Sequence, residues 1–207
     1  MKKKILAAAL AAVLCVGAGV GGTLAWLTAT SGTVTNTFTV GDINIKLDEA
    51  PLKADGTLDT AADRVNANVK DSYKIVPGGT QPKDPTVTVL EKSEKCYVYV
   101  SIENNIVLTK DGKSVAVASV DIDTSKWELI GTKDNETVYR YKTVVDAATA
   151  DVKVPVFANV TYSDTITKAD IGALADKTIV INSFAHQSDN IENVTVADNA
   201  AKAHFEI

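Results

Sequence analysis

Between Val152 and Val160 every second residue is apolar: Val152, Val154, Val156, Ala158 and Val160. Side chains of an extended chain alternate between two faces, so a period of two turns one face of such a run toward a core. The pattern recurs near the start. Val34, Asn36, Phe38 and Val40 share one phase, and beyond Gly41-Asp42 the apolar set passes to Ile43, Ile45 and Leu47. One residue of slip turns every side chain over, so the switch predicts a bulge or sharp bend at Gly41-Asp42. Further strands are predicted over 86–90, 96–103, 115–122, 127–131, 137–145, 152–162 and 177–186, where the branched Cβ of valine and threonine suits a pleated surface. Pro155 has no N–H and points away from the apolar set, which predicts an edge strand or a bulge.

Residues 48–72 have no sustained apolar period and read as a long surface loop, with a helical turn near 60–66. Val76-Pro77-Gly78-Gly79 marks a turn before the next strand. Short helices are predicted at 168–175, with Thr167 at its cap, and at 195–203. Many short strands separated by turn signals predict an all-β fold, a jelly-roll-like β-sandwich with one or two short helices.

The N-terminal segment has a different grammar. Lys2, Lys3 and Lys4 precede an apolar stretch at 5–20, and Gly21-Gly22-Thr23-Leu24-Ala25 supplies small residues. This is the pattern of a secretory signal, with a helical apolar run and cleavage between Ala25 and Trp26. The apolar run is shorter than the ~20 residues a spanning helix needs. An uncleaved signal anchor is the alternative, and Cys15 would serve a lipid anchor, although Leu14 before it makes a poor lipidation site. The division expected is a signal peptide at 1–25, an N-terminal strand region at 26–47 and a sandwich domain at 48–207.

The formal net charge is −5, and loss of the three leading lysines makes the remainder more acidic. That balance argues against a nucleic-acid surface, which gathers Lys and Arg. The two cysteines are Cys15 and Cys96, so cleavage leaves a single one and no internal disulfide. Cys96 lies in an alternating run and reads as a small buried hydrophobe, with a reactive thiol as the alternative. Export without disulfides fits a Gram-positive secretion route.

Catalytic patterns find little purchase. His186 and His204 are the two histidines, and neither belongs to a His-Glu-x-x-His arrangement able to hold zinc and activate water. No Gly-x-Ser-x-Gly elbow and no phosphate-binding Gly-rich loop with Lys-Ser/Thr occurs. Asp121 and Asp123 fall on one face of a strand and Asp55 and Asp59 bracket a loop, either of which offers oxygen ligands to Ca²⁺. Trp127 reads as a core or rim aromatic, with sugar stacking as the alternative. Tyr97 with Tyr99, and Tyr139 with Tyr141, share a strand face in each pair and read as cross-strand partners, or as a binding patch if exposed. No catalytic residue, metal ligand or cofactor is assigned.

Gly21-Gly22-Thr23-Leu24-Ala25-Trp26-Leu27-Thr28 followed by Val34-Thr35-Asn36-Thr37-Phe38-Thr39-Val40-Gly41 resembles the TasA/camelysin family. Tyr73-Lys74-Ile75-Val76-Pro77-Gly78, then Tyr97-Val98-Tyr99-Val100, and Ile181-Asn182-Ser183-Phe184-Ala185-His186-Gln187 are similar to its later segments. The resemblance covers the chain in outline and is thinnest at 48–72 and 104–150. It implies export by a dedicated signal peptidase to the extracellular matrix or surface of a Gram-positive bacterium. It implies a biofilm-matrix protein that polymerises with itself by donor-strand complementation, with or without an accessory matrix subunit. The donor would be about 26–40, with Val34, Phe38 and Val40 filling an acceptor groove and polar Asn36 an awkward neighbour on the same face. The alternatives are pairing of 33–47 within its own sandwich, a monomeric adhesin or carbohydrate-binding module, and a camelysin-like metalloprotease, which the missing zinc motif disfavours.

Overall fold

A computed structural model describes residues 41–66 and 74–207, which belong to the unit Gly41–Ile207. The signal segment, the cleavage point at Ala25 and Trp26, and the donor candidates Val34, Phe38 and Val40 lie outside the described residues.

Strands β1 (Ile45–Asp48), β2 (Thr80–Pro82), β3 (Thr86–Val89), β7 (Ala118–Val120), β10 (Val152–Pro155) and β11 (Asn159–Tyr162) build the first sheet. Its parts are joined by one ladder. The register from Thr80↔Thr161 to Pro82↔Asn159 continues unbroken as Thr86↔Pro155 to Val89↔Val152. Across the intervening corner, Lys83 N–H donates to Ala158 O and Val156 N–H to Pro85 O. Thus β2–β3 is one bent ribbon, β10–β11 is another, and β1 and β7 flank them.

The second sheet has the order β12 (Ile179–Gln187), β4 (Cys96–Asn104), β9 (Glu136–Tyr141), β8 (Trp127–Lys133). All pairings in both sheets are antiparallel. Between β4 and β7, β5 (Val107–Lys110) and β6 (Lys113–Ala116) form a hairpin. Its Asp111-Gly112 turn has positive φ at both residues (52° and 74°), the twist that a two-residue hairpin demands.

The sheets face each other over one core. Val87, Val89, Val154, Val156 and Val160 from the first meet Val98, Val100, Ile102 and Trp127 from the second. Trp127 is 1% exposed, packs edge-on against Tyr141 at 5.2 Å and donates its Nε1–H to Pro155 O at 3.2 Å, which ties the sheets together. This is the all-β sandwich that the alternation predicts. A second, smaller core lies on the outer face of the second sheet. Helix α2 (Val194–His204) covers Tyr99 and Val138 there with Ala197, Ala201 and Phe205. Asn193 caps α2 by accepting from Thr195 N–H, while α1 is a single turn, Ile171–Leu174.

The prediction for Pro155 is met in detail. Because Val156 bonds to Pro85, the backbone nitrogen of Pro155 points away from β3, where no ladder partner is lost. The alternating set bends at the corner: Val154, Val156 and Val160 are buried, but Ala158 is exposed and Phe157 is buried instead. The strand predicted at 115–122 divides into β6 and β7, and that at 137–145 ends at Tyr141. No helical turn forms at 60–66. Glu49 and Val65 instead exchange backbone hydrogen bonds at 2.9 and 2.8 Å, and Arg64 reaches back to Asp48 and Asp84. Thr167 does not cap α1; its N–H and hydroxyl both donate to Asp170 Oδ2.

Candidate functional site

A sheet edge exposes unpaired N–H and C=O groups, and a protein either guards that edge or uses it. Five edges here are guarded, that of β2 by its three-residue length and Pro82 and that of β10 by Lys153 and Pro155. On β1, Lys46 and Asp48 carry charge and Glu49 is bonded to Val65. β7 has three residues. β8 carries Glu128 and Lys133 and is broken by a bulge between Leu129 and Gly131.

The remaining edge of these sheets, β12, has none of these devices. It spans nine residues, Ile-Val-Ile-Asn-Ser-Phe-Ala-His-Gln, with no Lys, Arg, Asp, Glu or Pro. All nine are in unbroken register with β4, and among the described residues no strand lies on its other side. Flanking bonds fix which groups face outward. Ser188 N–H donates to Lys95 O and Asn105 N–H to Thr178 O, both at 2.9 Å. Even-numbered residues therefore direct their backbone groups to β4, while Ile179, Ile181, Ser183, Ala185 and Gln187 direct theirs to the open edge.

The same odd residues turn their side chains inward. Ile179, Ile181 and Ala185 pack on the inter-sheet core, while Phe184 belongs to the outer core under α2. Beside this edge opens a cleft of about 460 Å³, lined by Leu47 of β1, by Glu136 of β9, by Ile181, Asn182 and Ser183 of β12, and by His204, Phe205 and Glu206 at the end of α2. An incoming strand would thus find hydrogen-bonding partners along β12 and, at its side, a hollow of mixed polar and apolar lining.

The edge is held rigid from behind. Tyr99, on the neighbouring β4, is fully buried and donates its hydroxyl to Asp198 Oδ1 at 3.0 Å. Arg140 Nη1 donates to both oxygens of Asp198 at 2.8 and 2.7 Å, and its Nη2 donates to Glu128. Burial and the adjacent Asp198 carboxylate push the Tyr99 hydroxyl far up from its ordinary value, so it remains a proton donor. Burial disfavours the charge on Arg140, yet Asp198 outweighs it and raises its value further. Phe184 stacks on His204 at 4.6 Å with planes 21° apart, which docks the end of α2 onto β12.

The other residues singled out in the sequence take structural places. His186 lies on β12 with Nδ1 2.8 Å from Gln187 O. Asp121 Oδ1 accepts from the Ala158 and Asn159 N–H groups at 2.8 and 2.7 Å, and Oδ2 accepts from Asn159 Nδ2. Burial opposes ionisation of Asp121, but the Asn159 side-chain and backbone donors outweigh it and hold its carboxyl below the usual range. Asp123 turns to Ser125 and Lys126, and Asp55 to Thr57. The structure does not bring Asp121 and Asp123, or Asp55 and Asp59, into a shared cluster; among the described residues no group of three or more His, Cys, Asp or Glu gathers as a metal site. Cys96 is fully buried, and burial pushes its thiol up to about 11. Trp127 and Tyr99 are buried, and Tyr139 and Tyr141 pack against the inter-sheet core, so these aromatics form no exposed stacking platform. Among the described residues no helix is long and apolar enough to cross a membrane.

The sequence placed a strand at β12 but did not mark it as an acceptor. The signal was present in the absence of charge and proline over nine residues, which acquires meaning once topology makes that strand an edge. Comparison of the chain with protein-family models, with curated proteins and with solved structures finds no match.

Proposed function

We propose that this protein is a secreted structural subunit of an extracellular matrix that polymerises by strand addition, with β12 and its cleft as the acceptor. The carrying observation is the nine-residue edge without charge, proline or bulge beside five guarded edges. Main-chain hydrogen bonds supply affinity in strand addition, and pockets for alternate side chains supply selectivity. A strand at one end of a subunit and an acceptor elsewhere make a head-to-tail contact, which does not close on itself and yields filaments. The alternating run at 34–40 has the form of a donor, and the TasA-like pattern around it supports both export and assembly.

The reading assigns no catalytic residue and needs no cofactor. Its test is electron microscopy of the chain beginning at Trp26 and of the same chain lacking residues 26–40. Filaments are expected from the first and dispersed subunits from the second. Equal filament formation by both removes the donor role.

A further inference from the structure

We infer that, before assembly, β12 is closed by the β12 of a second copy, in an antiparallel pair whose two-fold axis passes through Ser183. The inference rests on reading β12 as a strand-accepting edge and adds what occupies that edge in free subunits. Its outward backbone groups belong to Ile179, Ile181, Ser183, Ala185 and Gln187, a set symmetric about Ser183. Rotation about that residue sets Ser183 opposite Ser183, Ile181 opposite Ala185 and Ile179 opposite Gln187. Each pair then meets with both bonding groups turned to the other strand, as hydrogen-bonded pairs do in an antiparallel ladder. Two four-stranded sheets become one continuous sheet. On its outer face Val180, 38% exposed, comes opposite His186 of the second copy and is covered.

Charge selects this register. β12 carries none, so like charges do not hold the two copies apart. Lys177 stands just before it and Asp189 just after it, and both are exposed. The bonds from Asn105 N–H to Thr178 O and from Ser188 N–H to Lys95 O hold the strand on β4 up to both charges. The rotation places Lys177 opposite Asp189 of the second copy, once at each end of the ladder. A slide of two residues one way sets Ile179 opposite Asp189. The same slide the other way sets Lys177 opposite Gln187 and Ser183 opposite Ile181. A two-fold contact uses the same patch on both copies and closes, whereas a head-to-tail contact propagates. The dimer therefore keeps both acceptors shut, and filaments grow from the subunits it releases.

The test begins with one cysteine at the axis. Ser183→Cys, Ile181→Cys and Ala185→Cys are each introduced alone into the secreted chain, oxidised at concentrations too low for filaments, and resolved on non-reducing gels. Cys96 is buried and stays outside the reaction. Axial residues lie ~5.5 Å apart, within disulfide reach, while Ile181 lies ~13 Å from Ile181 of the second copy, so Ser183→Cys should give about tenfold more covalent dimer than either neighbour. A second pair of variants leaves the edge itself untouched. Lys177→Glu should raise the dimer dissociation constant about tenfold in analytical ultracentrifugation, and adding Asp189→Lys should restore it. The two positions stand ~40 Å apart along one strand, well beyond the ~10 Å over which exposed charges act, so restoration comes only from a second copy. Dimer strongest at Ile181→Cys or Ala185→Cys, or no restoration by the charge swap, overturns this pairing. Monomer at every concentration, with filaments still formed, overturns the dimer and leaves strand addition at β12 standing. Oxidised Ser183→Cys dimer should form no filaments until it is reduced; filaments from the oxidised dimer overturn β12 as the acceptor together with its closure.

Discussion

Tyr99 and Asp198, almost a hundred positions apart, meet across 3.0 Å where the tyrosine hydroxyl donates to Oδ1. That contact joins a central strand to the helix covering its sheet, and Arg140 completes it with two bonds to the same carboxylate. Asp198→Ala would leave the Tyr99 hydroxyl and Arg140 Nη1 without their shared acceptor, with Glu128 alone remaining to an Arg140 side chain that is 11% exposed. We expect a loss of about 2–4 kcal/mol in urea unfolding. Tyr99→Phe leaves the ion pair intact and should cost about 1–2 kcal/mol. Equal losses from the two would show that Arg140 gains nothing from Asp198.

Trp127 joins the two sheets through its ring and through its bond to Pro155 O. Replacement by Phe keeps most of the packing and deletes the bond, for an expected loss of about 1–2 kcal/mol. Trp127→Ala opens a cavity at a site 1% exposed, for about 3–5 kcal/mol. Thermal melts of the two variants check the order; a tolerated Ala would place the ring outside the core's energetics.

Arg64 fastens the 49–66 loop. Its Nε donates to Asp48 Oδ1 at 2.5 Å and its Nη1 to Asp84 Oδ2 at 2.7 Å, with Lys46 also on Asp48. Burial opposes the Asp48 charge, but hydrogen bonds from Lys46 and Arg64 outweigh it and hold its carboxyl below the usual range. A depressed carboxyl contributes its full stability above the unfolded value, ~4, and loses it as pH falls through the lower folded value. Stability measured by urea should therefore fall below about pH 4. Asp48→Asn should be weaker at pH 7 and show a flatter acid limb; an unchanged limb would remove Asp48 from the clamp.

Cys96 is the one cysteine of a chain that begins at Trp26. With its thiol raised to about 11 and fully buried, it should resist alkylation at pH 8 until the sandwich opens. Labelling followed by mass spectrometry should run about 100-fold faster in denaturing urea than in buffer. Comparable rates would mean that β4 opens locally at its first residue.

Strands with clean alternation were legible because burial on one face writes itself into the sequence: 96–103 and 177–186 match β4 and β12 closely. Thr80–Pro82 escaped because three residues ending in proline show no period, and Val107–Lys110 because its two apolar residues are adjacent. The helical turn sought at 60–66 lost to distant partners, since Arg64 gains two carboxylates and two carbonyls by staying extended toward β1 and β3. The sequence does not single out Arg140 or Asp198, because their pairing depends on where α2 lands. The acceptor edge was hidden for the same reason. A charge-free run such as Ile179–Gln187 reads as core, and neighbour order alone reveals that one side of it is open.

The most direct measurement of the central claim changes only that open side. Ser183 directs its N–H away from β4, so Ser183→Pro removes an outward donor and blocks approach while sparing the internal ladder. Ala185→Lys adds an inward-pointing charge of the kind that guards natural edges. Both should keep the parent circular dichroism spectrum and cooperative melting, and both should abolish filaments under the electron microscope. Filaments of parental abundance from a folded Ser183→Pro or Ala185→Lys protein would contradict assembly through β12.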